Sequence, residues 1–330
     1  MVRVHSGLPF SRFSLARLAN FIPDNPRVAF SQNLLSEISE PPKDIRSSAP
    51  LVSHHLTDHE QETGPKKRMV GMAKRLAVFA YGLVSYAAFF VTFVYAVGFI
   101  GNLYVPKSLD SAIQMSFWPA LGIDALLMLL FALQHSLMAR SAFKEALTRF
   151  IPAAAERSTY VLSSSVLLIA LYVFWRPIGG VIWNVTDPVI RNFINVVFGL
   201  GFALVFVATL LINHFDLFGL RQVALYLAGK PYTYLEFRTP LFYRYVRHPL
   251  YVGWLVAFWA TPTMTGAHFV FALLTSTYIL TAIRWEERDL VIVHGSKYQD
   301  YQKRVPKLIP SLAPYRMPDE QNLRVRGSAA

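Results

Sequence analysis

Apolar and polar positions alternate in this chain on the scale of whole membrane crossings. From Leu76 to Pro106 no charged residue occurs, and about 20 apolar residues suffice to cross a bilayer, so this stretch predicts a first membrane helix. Runs over about Phe117 to Met138, Ser158 to Trp175 and Phe193 to Asn213 predict three more. The last apolar region, Pro249 to Ile283, is interrupted by Thr261-Pro262-Thr263-Met264-Thr265-Gly266, a breaker cluster that predicts a turn between two shorter helices. This hairpin is too long for one ordinary helix and short for two full spans. Between Asp216 and Gly229, apolar Leu217, Phe218, Leu220, Val223, Leu225 and Leu227 precede Gly229-Lys230-Pro231, predicting a short helix along the membrane interface. Tyr298 and Tyr301 mark one face of another short amphipathic helix. The expected fold is therefore all-α: a polytopic membrane helix bundle of about six segments, the last two a helical hairpin, followed by a short cytoplasmic C-terminal helix.

Composition agrees, because 54% of the 330 residues are hydrophobic and 16% charged, whereas soluble domains carry about 25% charged residues. The net charge of +12 would point to nucleic acid in a soluble protein; in a membrane chain it is a topology signal, and no nucleic-acid partner is expected. Lys66, Lys67, Arg68, Lys74 and Arg75 precede the first helix, and Arg140, Lys144, Arg149 and Arg157 lie between the second and third. Arg221, Lys230, Arg238, Arg244 and Arg247 follow the fourth, and Arg284, Arg288, Lys297, Lys303, Arg304 and Lys307 follow the hairpin. Alternate loops are nearly bare. These charges fall on one side only if the last apolar region crosses twice, which places both termini in the cytoplasm and Trp118, Trp175 and Trp183 in an outer aromatic belt. Cysteine is absent, which excludes disulfides, thiolate metal sites and cysteine nucleophiles.

Residues 1–70 are polar and aperiodic, and are read as a disordered or mis-assigned N-terminal extension. Arg3, Arg12 and Arg17 among serines, with no acid before Asp24, have the composition of a transit peptide; a start at Met69 or Met72, directly before the first span, is the preferred reading. His54, His55 and His59 lack metal-ligand spacing, so no metal site is expected. Residues 71–315 form the membrane domain and 316–330 a disordered tail.

Polar residues within or at the ends of membrane helices are costly and mark candidate chemistry. Asp124 is read as a structural contact, with Asn102 or a serine of Ser163-Ser164-Ser165 as its expected partner. Gln134 and His135 lie near the cytoplasmic end of the second helix, and Asn213, His214 and Asp216 at the same end of the fourth. The strongest local signal is Arg247-His248-Pro249-Leu250-Tyr251-Val252-Gly253, followed beyond the hairpin by Glu286-Glu287 and Gly295-Ser296-Lys297-Tyr298-Gln299-Asp300-Tyr301. A hairpin returns both ends to one surface, so Arg247 and His248 should meet Glu286 and Glu287. Opposite charges converging there suit a small zwitterion.

These elements, with Val305-Pro306 after them, resemble the C-terminal half of the isoprenylcysteine carboxyl methyltransferase superfamily. The resemblance implies S-adenosylmethionine as cofactor, held by Tyr245, Arg247, His248, Pro249, Tyr251, Gly253, Glu286 and Glu287. The stretches Tyr95–Asn102, Val105–Ser108, Gln134–Ala139 and Asn213–Gln222 resemble bacterial methanethiol S-methyltransferases, so the likeness spans about residues 72–315. It implies an enzyme of the bacterial inner membrane that methylates methanethiol, a small thiol reaching its pocket through the lipid bilayer, to dimethyl sulfide. The thiol must lose a proton, and His214 with Asp216, or His135, is the expected base. Spacing does not rank them. Other small thiols, a lipid-borne acceptor, NADPH-dependent sterol-type reduction and a non-catalytic nurim-like scaffold remain alternatives; the oligomeric state is unread.

Overall fold

The computed structural model describes residues 65–317; the readings of residues 1–64 and of the tail past 317 lie outside the described residues. Five long apolar helices form the bundle: α1 (Pro65–Gly101), α2 (Phe117–Met138), α4 (Glu156–Phe174), α5 (Pro188–Leu211) and α9 (Gly266–His294). Each is long and apolar enough to cross a membrane, and the chain is an integral membrane protein. Short helices α3 (Ser141–Leu147), α6 (His214–Leu217), α7 (Leu220–Leu227) and α10 (Ser296–Arg304) lie at the pole rich in Lys and Arg, and α8 (Pro249–Trp259) is the short arm of the hairpin.

The hairpin forms as expected, but its arms are unequal. Helix α8 has 11 residues and α9 has 29, rises of about 16 and 43 Å at 1.5 Å per residue. Residues 260–265 return the chain from the short arm to the long one. Thr263–Thr265 form a strand, β2, antiparallel to β1 (Val181–Asn184), which satisfies backbone groups that lipid cannot. This small sheet, at the charge-poor pole, is the one departure from an all-helical chain among the described residues.

A polar network locks the same pole. The Asp110 carboxylate accepts from Asn102 Nδ2 at 2.5 Å and from the Thr265 hydroxyl, and lies 3.7 Å from His268 Nδ1. Burial pushes its pKa up, but the neighbouring His268 and the hydrogen bonds from Thr265 and Asn102 outweigh it and hold the carboxyl below its ordinary value. Asp124 takes neither expected partner: its Oδ1 accepts the backbone N–H of Arg176 at 2.8 Å. Helix α4 ends at Phe174, so that N–H has no helical acceptor, and Asn102 is occupied by Asp110. Trp118 is exposed, as a belt residue should be, but Trp175 is wholly buried in the core, its indole donating to the Leu109 carbonyl at 3.3 Å.

Helix α8 is held against α5 by two facing glycines. A Cβ on Gly253 would sit 2.7 Å from the Gly201 oxygen and 2.8 Å from the Val205 nitrogen; one on Gly201 would sit 2.8 Å from the Ala257 nitrogen. In a membrane such close backbone approach, through dispersion and packing, is what drives helices together. Gly253 thus packs α8 on α5, and Pro249 starts α8 at its N1 position, where its missing N–H costs nothing. Neither residue lines the interior cavity described below.

Overpacking at such a contact costs about 1–3 kcal/mol or more. Gly253→Val should therefore lower the melting temperature or the yield of folded protein in detergent, whereas Gly122→Ala, with nothing within 4 Å of the added carbon, should leave both unchanged. Equal behaviour of the two variants removes this packing role.

Candidate active site

The two flanks of the hairpin meet. Arg247 Nε donates to Glu287 Oε1 at 2.7 Å, His248 Nε2 lies 3.1 Å from the same oxygen, and Lys307 Nζ lies 3.5 Å from Oε2. Arg247 Nη1 also donates to the carbonyls of Gln302, at 2.8 Å, and Val305. The backbone N–H groups of Arg247 and His248 bond the carbonyls of Pro306 and Lys307 at 2.9 and 3.2 Å. The Tyr245 carbonyl accepts from Ser311, and Tyr301 donates its hydroxyl to the Tyr243 carbonyl at 2.5 Å. Arg247 and Glu287 are both buried, and the sequence expectation that they adjoin is met. Their bonds are spent on each other and on the C-terminal segment, which makes the pair a clasp.

Glu286 points elsewhere. Tyr251 donates its hydroxyl to Glu286 Oε2 at 2.7 Å, and Tyr251 also lines a cavity of about 280 Å³ inside the bundle. The walls are chiefly apolar and aromatic, from Phe89, Phe93, Phe131, Trp254, Phe258 and Phe271 among others. Two histidines face it, His135 from α2 and His214 from α6.

The two histidines are held alike. Ser164 gives its hydrogen to Gln134 Oε1 at 3.3 Å, so its oxygen accepts from His135 Nδ1–H at 3.2 Å. His135 Nε2 then accepts the Tyr160 hydroxyl at 2.8 Å. Thr209 gives its hydrogen to the Phe206 carbonyl at 2.6 Å, and its oxygen accepts from His214 Nδ1–H at 2.8 Å. His214 Nε2 accepts the Tyr86 hydroxyl at 2.8 Å. Each ring is thereby fixed in one tautomer by the bond its other nitrogen makes. Each Nε2 has a tyrosine hydroxyl in front of it.

Asp216, expected beside His214, is turned away. Residues two apart in a helical turn do not face each other, and Asp216 instead accepts from Arg221 at 3.1 Å, from Gln222 at 3.1 Å and from Tyr232 at 3.1 Å. Thr209 takes the place expected for it. Tyr86, Tyr160 and Thr209 escaped sequence reading, and Ser164, expected near Asp124, bonds His135 and Gln134 instead; Tyr160 and Ser164 stand four apart, on one helix face, in an apolar run. Arg157 was counted as a loop charge; it is buried at the start of α4 and lines the cavity. Among the described residues, no group of three or more metal-ligating side chains occurs.

The methanethiol S-methyltransferase of Crocosphaera subtropica is 57% identical to this chain over 236 residues, 72% of this chain and 92% of that protein. The methanethiol S-methyltransferase of Mycobacterium tuberculosis is 48% identical over 237 residues, 72% of this chain and 97% of the relative. Nurim of Xenopus laevis is more distant, 30% identical over 197 residues, 56% of this chain and 68% of its own length. No family model and no solved structure matches the chain.

Burial lowers the His214 pKa from the ordinary 6.5. On acidification the unfolded chain binds this proton first, so the histidine's contribution to stability is present above the unfolded value and is lost as pH falls through the folded one. The melting temperature in detergent should fall between about pH 8 and about pH 5, and by less in His214→Phe. An identical fall in both proteins removes His214 as a cause.

Proposed function

The chain belongs to the methanethiol S-methyltransferase family, and on that premise we propose that it transfers the methyl group of S-adenosylmethionine to methanethiol, releasing dimethyl sulfide. The enzyme would work in a bacterial inner membrane with both termini in the cytoplasm. The observation that supports this most is the apolar cavity with two fixed imidazoles on its wall and the Tyr251–Glu286 pair at its edge.

The residues present fit such a methyl donor. Glu286 is a carboxylate set among tyrosines, its charge acting on Tyr160, Tyr243 and Tyr251. A carboxylate and aromatic faces together favour an organic cation. Tyr251, Glu286 and His248 would hold the donor, with Tyr245 beside them. Arg247, Glu287 and Lys307 would keep the C-terminal segment closed over it. Bound there, S-adenosylmethionine supplies an electrophilic methyl group on a positively charged sulfur.

The chain's own groups supply the rest. Apolar walls exclude water, and because a cation and a thiolate neutralise each other on reaction, weak solvation of the separated charges lowers the barrier. A wall that narrows around a small acceptor also aligns it for in-line attack. The thiol proton passes to a tyrosine hydroxyl as that hydroxyl hands its own proton to imidazole Nε2, at His135 through Tyr160 or at His214 through Tyr86. Methanethiol is apolar enough to enter from lipid.

Headspace chromatography of cells given methanethiol tests this reading. Wild type should produce dimethyl sulfide; Glu286→Gln should lose about 100-fold or more, the scale of removing one electrostatic contact to the reacting charge, and Tyr251→Phe less. Membrane levels of each variant are matched by immunoblot. Undiminished product in both variants overturns the donor assignment, and no product in wild type overturns the activity.

A further inference from the structure

The cavity wall carries one charge that the scheme above does not use. Arg157, in the first turn of α4, is 4% exposed and lines the cavity. Its Nε donates to the Leu217 carbonyl at 2.6 Å, and its guanidinium lies over the Tyr160 ring, 4.7 Å from the centroid. No carboxylate of the described residues forms a salt bridge with it. A buried cation without a counter-ion is costly, and the first turn of a helix is where a cation is least favoured. Both penalties are relieved when an anion enters the cavity.

The surroundings restrict which anion that is. Guanidinium is weakly hydrated and pairs well with polarisable partners, and an apolar chamber rejects strongly hydrated carboxylates and phosphates. A small thiolate, hydrosulfide included, meets both conditions. The charged and titratable groups around Arg157 and Tyr160 are His135 from α2, Glu156 from α4, and Tyr278 and Glu286 from α9. Glu286 thus stands as the negative pole and Arg157 as the positive pole of one reaction space, with the Tyr160 hydroxyl under the influence of both.

We propose that Arg157 is the anion anchor of the cavity: it holds the acceptor sulfur as a thiolate, with Tyr160 and His135 as the path for its proton. This rests on the methyltransferase reading. The S–H proton moves to the Tyr160 oxygen while the Tyr160 proton moves to His135 Nε2. The electron pair left on sulfur forms the new S–CH3 bond as the donor's S–CH3 bond breaks, its pair remaining on the donor sulfur. Imidazolium returns the proton to water after the products leave.

The test uses the full chain in nanodiscs, with methyl transfer to methanethiol measured across pH and against thiocyanate, a soft monoanion with no S–H proton to lose, dimethyl sulfide alone being counted as product. Wild type should show thiocyanate inhibition competitive with methanethiol. Arg157→Gln should lose about 100-fold in rate near neutral pH and recover part of it at about pH 9, where free thiolate is more abundant. Its thiocyanate inhibition should weaken about 10-fold or more. Arg157→Lys, which keeps the charge, should retain that inhibition within about 3-fold. If Arg157→Gln does not fold, the lysine variant decides: competition kept supports the anchor, and competition lost in a folded protein overturns it. Unchanged neutral rate and unchanged thiocyanate inhibition in Arg157→Gln, or no competition in wild type, also overturn it. Absence of methyl transfer by wild type instead fails the underlying reading.

Discussion

The contact between Arg247 and Glu287 is the constraint on which the rest of the site depends. Both side chains are buried and meet at 2.7 Å, and removing one partner of such a pair strands a charge at a cost of about 3–5 kcal/mol. The flanks of the hairpin therefore cannot part without exposing or abandoning a charge. Because Arg247 also bonds the Gln302 and Val305 carbonyls, the same contact ties down the segment after α10. Glu286, the preceding residue, is thereby turned to Tyr251, which lines the cavity. One ion pair thus orders three stretches of chain that are far apart in sequence.

Within that frame the interior is organised by what lipid and protein core cannot do. Neither supplies water to a polar group, so each buried polar group must find a partner in the chain. His135 and His214 solve this in the same manner, with a hydroxyl acceptor on one nitrogen and a tyrosine on the other. Those bonds also set the tautomer of each ring, leaving Nε2 as the acceptor of a tyrosine hydroxyl. At the far pole, the Asp110 network and the two-stranded sheet hold the other end of the hairpin, so the cavity is bounded at both ends by groups that cannot easily move.

Several readings of individual residues changed for a common reason. Gly253 and Pro249 stand in one motif with Arg247 and Tyr251, and in the fold they shape α8 and its seat on α5. Asp216 adjoins His214 in sequence, but helical geometry sends it to Arg221 and Tyr232. Arg157 sits one position before an apolar run, where a topological charge and a buried cation look the same. A motif reports that residues are needed together, whereas their separate tasks depend on direction.

The order of residues alone determined the membrane helices, the doubling back of the last apolar region and the meeting of Arg247 and His248 with Glu287; Glu286, expected with them, goes to Tyr251. Those follow from length, apolar runs and charge asymmetry, which are properties of neighbours along the chain and need no partner to be read. Tertiary structure decided the unequal hairpin arms, the β1–β2 pairing, the partner of Asp124, the two histidine–tyrosine pairs and the burial of Arg157. Each of those joins residues from separate helices whose relative rotation and depth are set by packing. A difference of one residue along a helix turns a side chain by about 100°, from cavity to lipid, and no local pattern records which way it ends.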